Sequence, residues 1–326
     1  MSGFSEIKFP YFCDMKKIAM ILAVLAGMAT ATAQERKWAV VELSGIYMRI
    51  APDYESALET QELMGTVVEV VGEKSYWREI VSPQPYKAWC TEKGIVMMSE
   101  AELEAYKAAP KCIFTELYGH VYEKPSLKSA TVCDLVGGDV MRIAGQEGND
   151  KKATIKGKWT KVLLPSGKEG WVESSQVKVH EGFMSIAKGE GNADSISDAQ
   201  MEKIIATAFK LKGVPYFWGG MTPKGVDCSG LVRWSCLMNG ILLPRNASQM
   251  VHCGDEVSLD QLQRGDLVFF GTPAQDGKPR RVTHVGIYIG DGHIIHSSHL
   301  VRVNSLDPSQ PDYYENAHKL IAARRL

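Results

Sequence analysis

The sequence predicts three folded domains: two small all-β units, followed by an α+β domain. Short β-rich runs occupy residues 38 to about 184 and repeat one plan. Helical spacing of apolar residues begins near Ser197, with Asp198 as the expected cap, and strand-like runs follow it. At 326 residues the chain is too long for one typical domain. We place the domains at residues 34–110, 111–186 and 187–326.

Overall composition is that of an ordinary globular protein, with 45% hydrophobic and 23% charged residues. The formal net charge of −1 leaves no basic surface, so we expect no nucleic-acid partner. Seven cysteines occur at irregular spacing without a CxxC pair, which does not indicate a disulfide framework. We expect a monomer with no cofactor and no bound metal.

An export signal is predicted at the N-terminus. Lys16 and Lys17 precede an apolar run at residues 18–29, and the small residues 31–33 follow it, which is the pattern of a secretory signal peptide. The apolar run is too short to span a bilayer. We therefore predict cleavage near Ala33, a periplasmic or extracellular location, and no stable membrane insertion. Residues 1–14 form an upstream extension outside this signal.

The β-rich region contains one unit twice. Its runs at residues 38–43, 66–71 and 77–81 are short and broken by Gly and Pro, which is typical of a small barrel or sandwich. The features shared by the two copies are Pro52 with Pro125, residues 67–72 with 140–145, and Trp77 and Trp89 with Trp159 and Trp171. A short polar helix or linker is predicted between the copies at residues 100–108.

A candidate nucleophile opens the second helical pattern of the last domain. Asp227 is the expected N-cap, Cys228 lies in the first turn, and Leu231 and Trp234 follow at helical spacing. The helix dipole and free backbone N–H groups at that position favour the thiolate, which is the reactive form of cysteine. The alternative is that Cys228 is a small buried apolar residue.

A hairpin carrying two histidines supplies a candidate base. His284 lies on residues 283–289, His296 on residues 293–297, and a glycine-rich turn joins them. A three-residue loop puts both rings on one face, whereas a two-residue loop puts them on opposite faces. On one face, His284 would take the proton of Cys228 while His296 orients it. A zinc site made by the same three residues is the rival interpretation.

Several motifs together resemble the NlpC-type papain-like cysteine peptidases of bacterial cell-wall metabolism. They are residues 216–220 (YFWGG), 227–232 (DCSGLV), 265–270 (GDLVFF), 284–288 (HVGIY) and His296. They cover about the last 130 residues, and the two β units resemble bacterial SH3-like modules. The fold implied is two SH3-like barrels followed by an α+β papain-like domain.

The resemblance also implies a reaction, that of the γ-D-glutamyl-L-diamino acid endopeptidases. These enzymes cleave the bond between γ-D-Glu and L-Lys or meso-diaminopimelate in murein stem peptides, and the subclass with SH3-like modules prefers a free N-terminal L-Ala. Carried over by motif, Cys228 is the nucleophile, His284 the base and His296 its orienting partner. Tyr216 would stabilise the oxyanion, and the acyl side would be lined by Asp227, Ser229, Trp218 and Ser248.

The family resemblance assigns recognition of the free amine to the first SH3-like module. Tyr86 precedes the Trp89 strand as it does in relatives, and Glu62 is the expected carboxylate, with Glu59 as the alternative. The chain departs from the family at this point, because Ala88-Trp89-Cys90 stands where Gly-Trp-Val is usual.

Two other functions fit parts of the pattern. One is a non-catalytic murein-binding protein, against which the intact Cys228, His284 and His296 argue. The other is an acyl transferase, which sequence separates poorly from a hydrolase because both reactions pass through a thioester.

Overall fold

The computed structural model describes residues 36–83, 86–145, 154–185, 196–275 and 277–326. The predicted extension and signal peptide at residues 1–33 lie outside the described residues. Within the ranges described, no helix is long and apolar enough to cross a membrane. Five cysteines of these ranges are free thiols, namely Cys90, Cys112, Cys133, Cys228 and Cys236.

The first β unit is an antiparallel seven-stranded sheet. Its strands are β1 (Lys37–Val41), β2 (Ile46–Arg49), β3 (Leu58–Glu62), β4 (Val67–Lys74), β5 (Trp77–Ser82), β6 (Tyr86–Thr91) and β7 (Ile95–Met98). The spatial order is β3-β2-β6-β5-β4-β1-β7. Val68 and Val70 point inward at alternate positions of β4 and pack with Met48 and Ile80.

Helix α1 (Glu100–Ala108) follows, where the sequence predicts a short helix or linker. Ser99 and Glu102 form a capping box, in which each side chain accepts a hydrogen bond from the other residue's backbone N–H. This cap accounts for a helix in a segment whose apolar face is small, since only Leu103 and Tyr106 are buried.

The second β unit has the same strand order as the first, which confirms the predicted repeat. Its strands are β8 (Lys111–Phe114), β9 (Tyr118–Tyr122), β10 (Thr131–Val136), β11 (Val140–Ile143), β12 (Trp159–Leu163), β13 (Glu169–Glu173) and β14 (Val177–His180). The order is β10-β9-β13-β12-β11-β8-β14. Phe114, Leu135 and Met141 fill its core.

The last region is α+β, as predicted. Its helices are α2 (Asp198–Lys210), α3 (Cys228–Leu237) and α4 (Ala247–Met250). An antiparallel sheet packs on α3. Its strands are β19 (Asp255–Val257), β20 (Leu267–Thr272), β21 (Arg281–Gly290), β22 (His293–Ser298), β23 (Leu300–Ser305) and β24 (Leu320–Arg325). Their spatial order is β19-β24-β20-β21-β22-β23.

Two details differ from the sequence analysis. The N-cap of α2 is Ser197 and not Asp198, because the Ser197 hydroxyl accepts the Gln200 N–H. Strand β15 (Met184–Ser185) pairs in parallel with β18 (Ile241–Leu242), so it joins the last domain although the predicted boundary lies after it. A small hairpin, β16 (Met221–Thr222) with β17 (Gly225–Val226), leads into α3. The domain boundaries themselves stay predictions.

Direct hydrogen bonds join the β units to the last domain. Gln61 Oε1 accepts the Met221 N–H at 2.9 Å, and Trp234 Nε1 donates to the Gly137 carbonyl at 2.7 Å. Both contacts reach the segments around Cys228, since Met221 precedes α3 and Trp234 lies within it. The β units therefore help to position the helix that carries the thiol.

Candidate active site

Cys228 begins α3, with Asp227 as its N-cap, as predicted. One carboxylate oxygen of Asp227 accepts the Gly230 N–H at 2.7 Å, and the other accepts the Gly219 N–H at 3.0 Å. Gly230 has to be glycine, because a Cβ there would lie 2.0 Å from the Gly220 carbonyl oxygen. The loop that follows Tyr216 is thereby packed directly against the first turn of the Cys228 helix.

The turn of the histidine hairpin contains a bulge that the sequence does not reveal. Gly290 pairs with His293 across a two-residue loop, but the next pair inward is Tyr288 with Ile294, so Ile289 is skipped. A bulge adds one residue to one strand and reverses the parity that the loop alone would impose. The two histidines therefore share a face, as a three-residue loop would have placed them.

His284 and His296 are in direct contact. His284 Nε2 lies 2.7 Å from His296 Nδ1, and the rings meet edge to face. The residue facing His296 is Gly286, where a Cβ would come within 3.1 Å of the His296 Cβ. The ring of Tyr314 lies 4.6 Å from that of His296 and 5.6 Å from that of His284. This packing holds both imidazoles in one orientation.

The thiol of Cys228 lies next to this pair, because the backbone N–H groups of Val285 and Ser229 hydrogen-bond to it. The Ser229 N–H at the helix start lowers the pKa of the thiol, in the predicted direction, but larger effects oppose it. Burial raises the pKa of Cys228 to about 11, and the negative charge of Asp227 adds to the effect. Desolvation outweighs the backbone hydrogen bonds that favour the thiolate, so the thiol needs a base to remove its proton.

His284 has the protonation state that a base requires. Burial, and then the neighbouring His296, lower the pKa of His284 to about 3, so the imidazole is neutral at neutral pH. We expect kcat/KM to change less than about twofold between about pH 7 and about pH 5.5, whereas a histidine of ordinary pKa would lose about tenfold. A pH series of initial rates with a murein peptide measures this.

Stability has to be followed in the same series. Folding lowers the pKa of both His284 and His296. Below about pH 6.5 the unfolded chain therefore binds more protons than the folded protein. The free energy of unfolding consequently falls as the pH drops towards about 4. Rates are therefore compared only where circular dichroism shows folded protein. A tenfold loss of kcat/KM while the protein stays folded would contradict the lowered pKa.

Arg245 is a central residue of the site that the sequence analysis missed. Its guanidinium donates to both carboxylate oxygens of Asp227, at 3.0 and 2.6 Å, and to the Ser229 hydroxyl at 2.8 Å. Its Nε donates to the Thr60 hydroxyl of the first β unit at 2.7 Å. Arg245 is only 3% exposed. It ties the N-cap of the Cys228 helix to the first β unit.

The other residues predicted around the thiol are placed as follows. Tyr216 is half-buried, and burial together with the charges of Cys228 and Asp227 raises the pKa of its hydroxyl, which therefore keeps the proton that an oxyanion donor needs. Trp218 is 68% exposed. Ser229 is buried between Asp227 and Arg245, whereas Ser248 lies exposed on α4.

The structure separates the two glutamates considered for amine recognition. The Tyr86 hydroxyl donates to the Glu59 carboxylate, and the Asn246 side chain also bonds to that hydroxyl. Glu62, also on β3, is buried near Arg233. Tyr86 is therefore hydrogen-bonded to Glu59, the alternative carboxylate, and which glutamate reads the amine stays a prediction.

Glu62 instead lines a cavity of about 1030 Å³ where the two β units and the last domain meet. Met64, Tyr106, Arg233 and Leu242 also line it, whereas Cys228, His284 and His296 do not. This cavity is separate from the candidate active site.

The zinc interpretation receives no support from the geometry. The facing nitrogens of His284 and His296 hydrogen-bond to each other and do not converge on a common point with the thiol. Among the residues that the structure describes, no group of three or more His, Cys, Asp or Glu side chains is placed to hold a metal ion.

Comparison with known proteins agrees with this geometry. Residues 213–321, which include Cys228 and both histidines, match the NlpC/P60 family, and residues 118–178 match the bacterial SH3 domain. The chain contains an NlpC/P60 domain preceded by a bacterial SH3 domain. The resemblance and the fold class predicted from sequence are confirmed, as is the enzyme class, a cysteine peptidase.

Two curated proteins and one solved structure match the chain well beyond the NlpC/P60 domain. It is 27% identical over 279 residues to dipeptidyl-peptidase 6 of Lysinibacillus sphaericus, a match that covers 83% of this chain and 93% of that one. It is 28% identical over 267 residues to a γ-D-glutamyl-L-lysine dipeptidyl-peptidase of Bacillus cereus, covering 79% and 73%. An NlpC/P60 family crystal structure from Bacillus cereus has the same fold, with a TM-score of 0.68, 23% identity and coverage of 88% and 99%.

Proposed function

We propose that this chain is an exported cell-wall endopeptidase that hydrolyses the bond between γ-D-Glu and the L-diamino acid of murein stem peptides. The observation that carries the proposal is the thiol of Cys228 at a helix start, next to the neutral, hydrogen-bonded pair of His284 and His296. The name of the Bacillus cereus relative, a γ-D-glutamyl-L-lysine dipeptidyl-peptidase, supports the choice of bond. A monomer acting on L-Ala-γ-D-Glu-diamino acid peptides suffices for this reaction.

The proposed mechanism has two steps. His284 takes the Cys228 proton as the sulfur attacks the γ-carbonyl carbon of D-Glu, and the Tyr216 hydroxyl donates to the oxyanion. The tetrahedral intermediate collapses to a thioester as the His284 imidazolium protonates the departing amine of the diamino acid. Water then attacks the thioester, His284 accepts its proton, and the Cys228 thiol is restored.

The test is product identification. Purified protein is incubated with L-Ala-γ-D-Glu-L-Lys and the products are identified by mass spectrometry. We expect L-Ala-D-Glu and L-Lys in equal amounts. An uncut peptide in the presence of folded protein, or cleavage between L-Ala and D-Glu, would overturn the proposed function.

A free N-terminal amine is proposed to be read by Glu59 and Tyr86. Both residues lie on strands that face the candidate active site. Tyr86, on β6, bonds to Asn246, which adjoins Arg245 in the chain. The backbone of Glu59, on β3, packs on Gly219. Asp227 is already neutralised by Arg245, which leaves the Glu59 carboxylate to attract the ammonium group of L-Ala.

This arrangement predicts a selective effect of Glu59→Gln. We expect it to lower kcat/KM for the free peptide by about 10- to 100-fold, the value of one charge-assisted hydrogen bond, and to leave the N-acetylated peptide unchanged. Glu62→Gln is the matched control, because Glu62 is buried near Arg233 while Tyr86 bonds to Glu59, and we expect it to preserve the ratio of the two rates. Equal rates for both peptides in the unmodified enzyme would refute amine recognition.

A further inference from the structure

Asn304, on β23, contacts the side of His296 that faces away from His284. Asn304 Oδ1 lies 2.9 Å from His296 Nε2. The orientation of the amide is set by its other end, because Asn304 Nδ2 donates to the Asp312 carbonyl at 2.6 Å. Asn304 is 7% exposed and His296 is fully buried. The chain of contacts is therefore His284, His296, Asn304 and the Asp312 backbone.

These contacts determine which nitrogen of each ring carries the hydrogen. An amide oxygen only accepts hydrogen bonds, so His296 Nε2 is the protonated nitrogen. Burial lowers the pKa of His296 to about 4, with the positive charge of Arg302 acting in the same direction, so the ring is neutral and Nδ1 keeps a lone pair. His284 Nε2, 2.7 Å away, must then be the donor to that lone pair.

The same reasoning leaves one basic nitrogen on His284. Its Nε2 carries the hydrogen and its ring is neutral, so Nδ1 is the atom with a free lone pair. The titratable and charged groups around the pair are Cys228, Arg302 and Tyr314. The Asp312 carboxylate lies instead near His293, with 3.8 Å between Asp312 Oδ2 and His293 Nε2.

We propose that Asn304 is a positioning residue that, through His296, holds His284 in the tautomer whose Nδ1 accepts the Cys228 proton. In the reaction the proton moves from sulfur to His284 Nδ1, while the Nε2–H of His284 stays hydrogen-bonded to His296. Asn304 itself neither gains nor loses a proton. The inference rests on the proposed function only for its kinetic test.

Two substitutions at this position separate an acceptor role from a structural one. Asn304→Leu and Asn304→Asp both remove the amide N–H that bonds to Asp312, but only Asp keeps an oxygen for His296 Nε2–H. We expect kcat to fall by about 10- to 100-fold in Asn304→Leu, the usual effect of losing an orienting partner, and KM to change little. Asn304→Asp should retain most of the activity, with the acid limb of its pH profile moved to higher pH.

The proposal would be overturned if kcat fell equally in the two variants and in proportion to their loss of thermal stability. A purely structural role would depend on the hydrogen bond to the Asp312 carbonyl, which both variants have lost. A second measurement needs no substrate and no variant. Long-range ¹H–¹⁵N correlation spectra of the unmodified protein report the histidine tautomers directly. We expect Nε2–H for both His284 and His296. An Nδ1–H form of either ring would overturn the proposal even if the enzyme acts on another substrate.

Discussion

Replacing Cys228 with alanine is expected to reduce peptide hydrolysis by about 10⁴-fold or more, because no other group can form the thioester. The fold should survive, since the change removes one sulfur atom from a side chain at the edge of the core, 9% exposed. Hydrolysis of L-Ala-γ-D-Glu-L-Lys and the thermal unfolding midpoint are measured on the same preparation.

Cys236 provides the matched control for this substitution. It lies on the same helix and is completely buried, but it has no contact with the histidine pair. Cys236→Ala should therefore keep its rate and lose only stability. Retained hydrolysis in Cys228→Ala would remove the covalent mechanism.

The second large effect is expected at Arg245. Arg245→Met leaves the Asp227 carboxylate buried without its cation, and we expect the free energy of unfolding to fall by about 3–5 kcal/mol. Activity should fall as well, because Asp227 caps the Cys228 helix and Ser229 and Thr60 lose the same partner. Urea denaturation measures the stability, and the peptide assay measures the rate.

Arg264 is the control for the charge itself. It forms a similar two-point ion pair with Glu202, but both side chains are about half exposed, so Arg264→Met should cost less than about 1 kcal/mol. Adding Asp227→Asn to Arg245→Met should restore part of the stability, because the uncompensated charge is removed. If Arg245→Met costs no more than Arg264→Met, the buried ion pair does not hold the site together.

The sequence was sufficient wherever one local pattern decides the structure. The repeat of β runs predicted two units of one strand order, and the glycine-flanked cysteine predicted the start and the N-cap of α3. The hairpin of His284 and His296 was only half predictable. Whether the two histidines share a face depends on a bulge at Ile289. No residue type specifies whether a loop of this kind is accompanied by a bulge.

Contacts between distant segments could not be predicted from local patterns. Arg245 meets Thr60 across 185 positions, and Asn304 meets His296 from a neighbouring strand whose register is known only after folding. The choice between Glu59 and Glu62 likewise depended on which carboxylate reaches Tyr86 on β6 in the folded chain. The net shift in the pKa of Cys228 was unpredictable for a related reason, since burial is a property of the whole fold and here outweighs the hydrogen bonds at the helix start.

The most direct test of the site is labelling with a chloromethyl ketone of L-Ala-γ-D-Glu, in which the reactive carbon follows the γ-carbonyl. A nucleophile that recognises the dipeptide displaces chloride, and the protein gains the mass of the inhibitor less HCl. We predict one label per chain, on Cys228 alone among the cysteines, with complete loss of hydrolysis and protection by the free substrate. A label on another residue together with lost activity, or unlabelled protein that stays active, would contradict the assignment of Cys228 as the nucleophile of a γ-D-glutamyl peptidase.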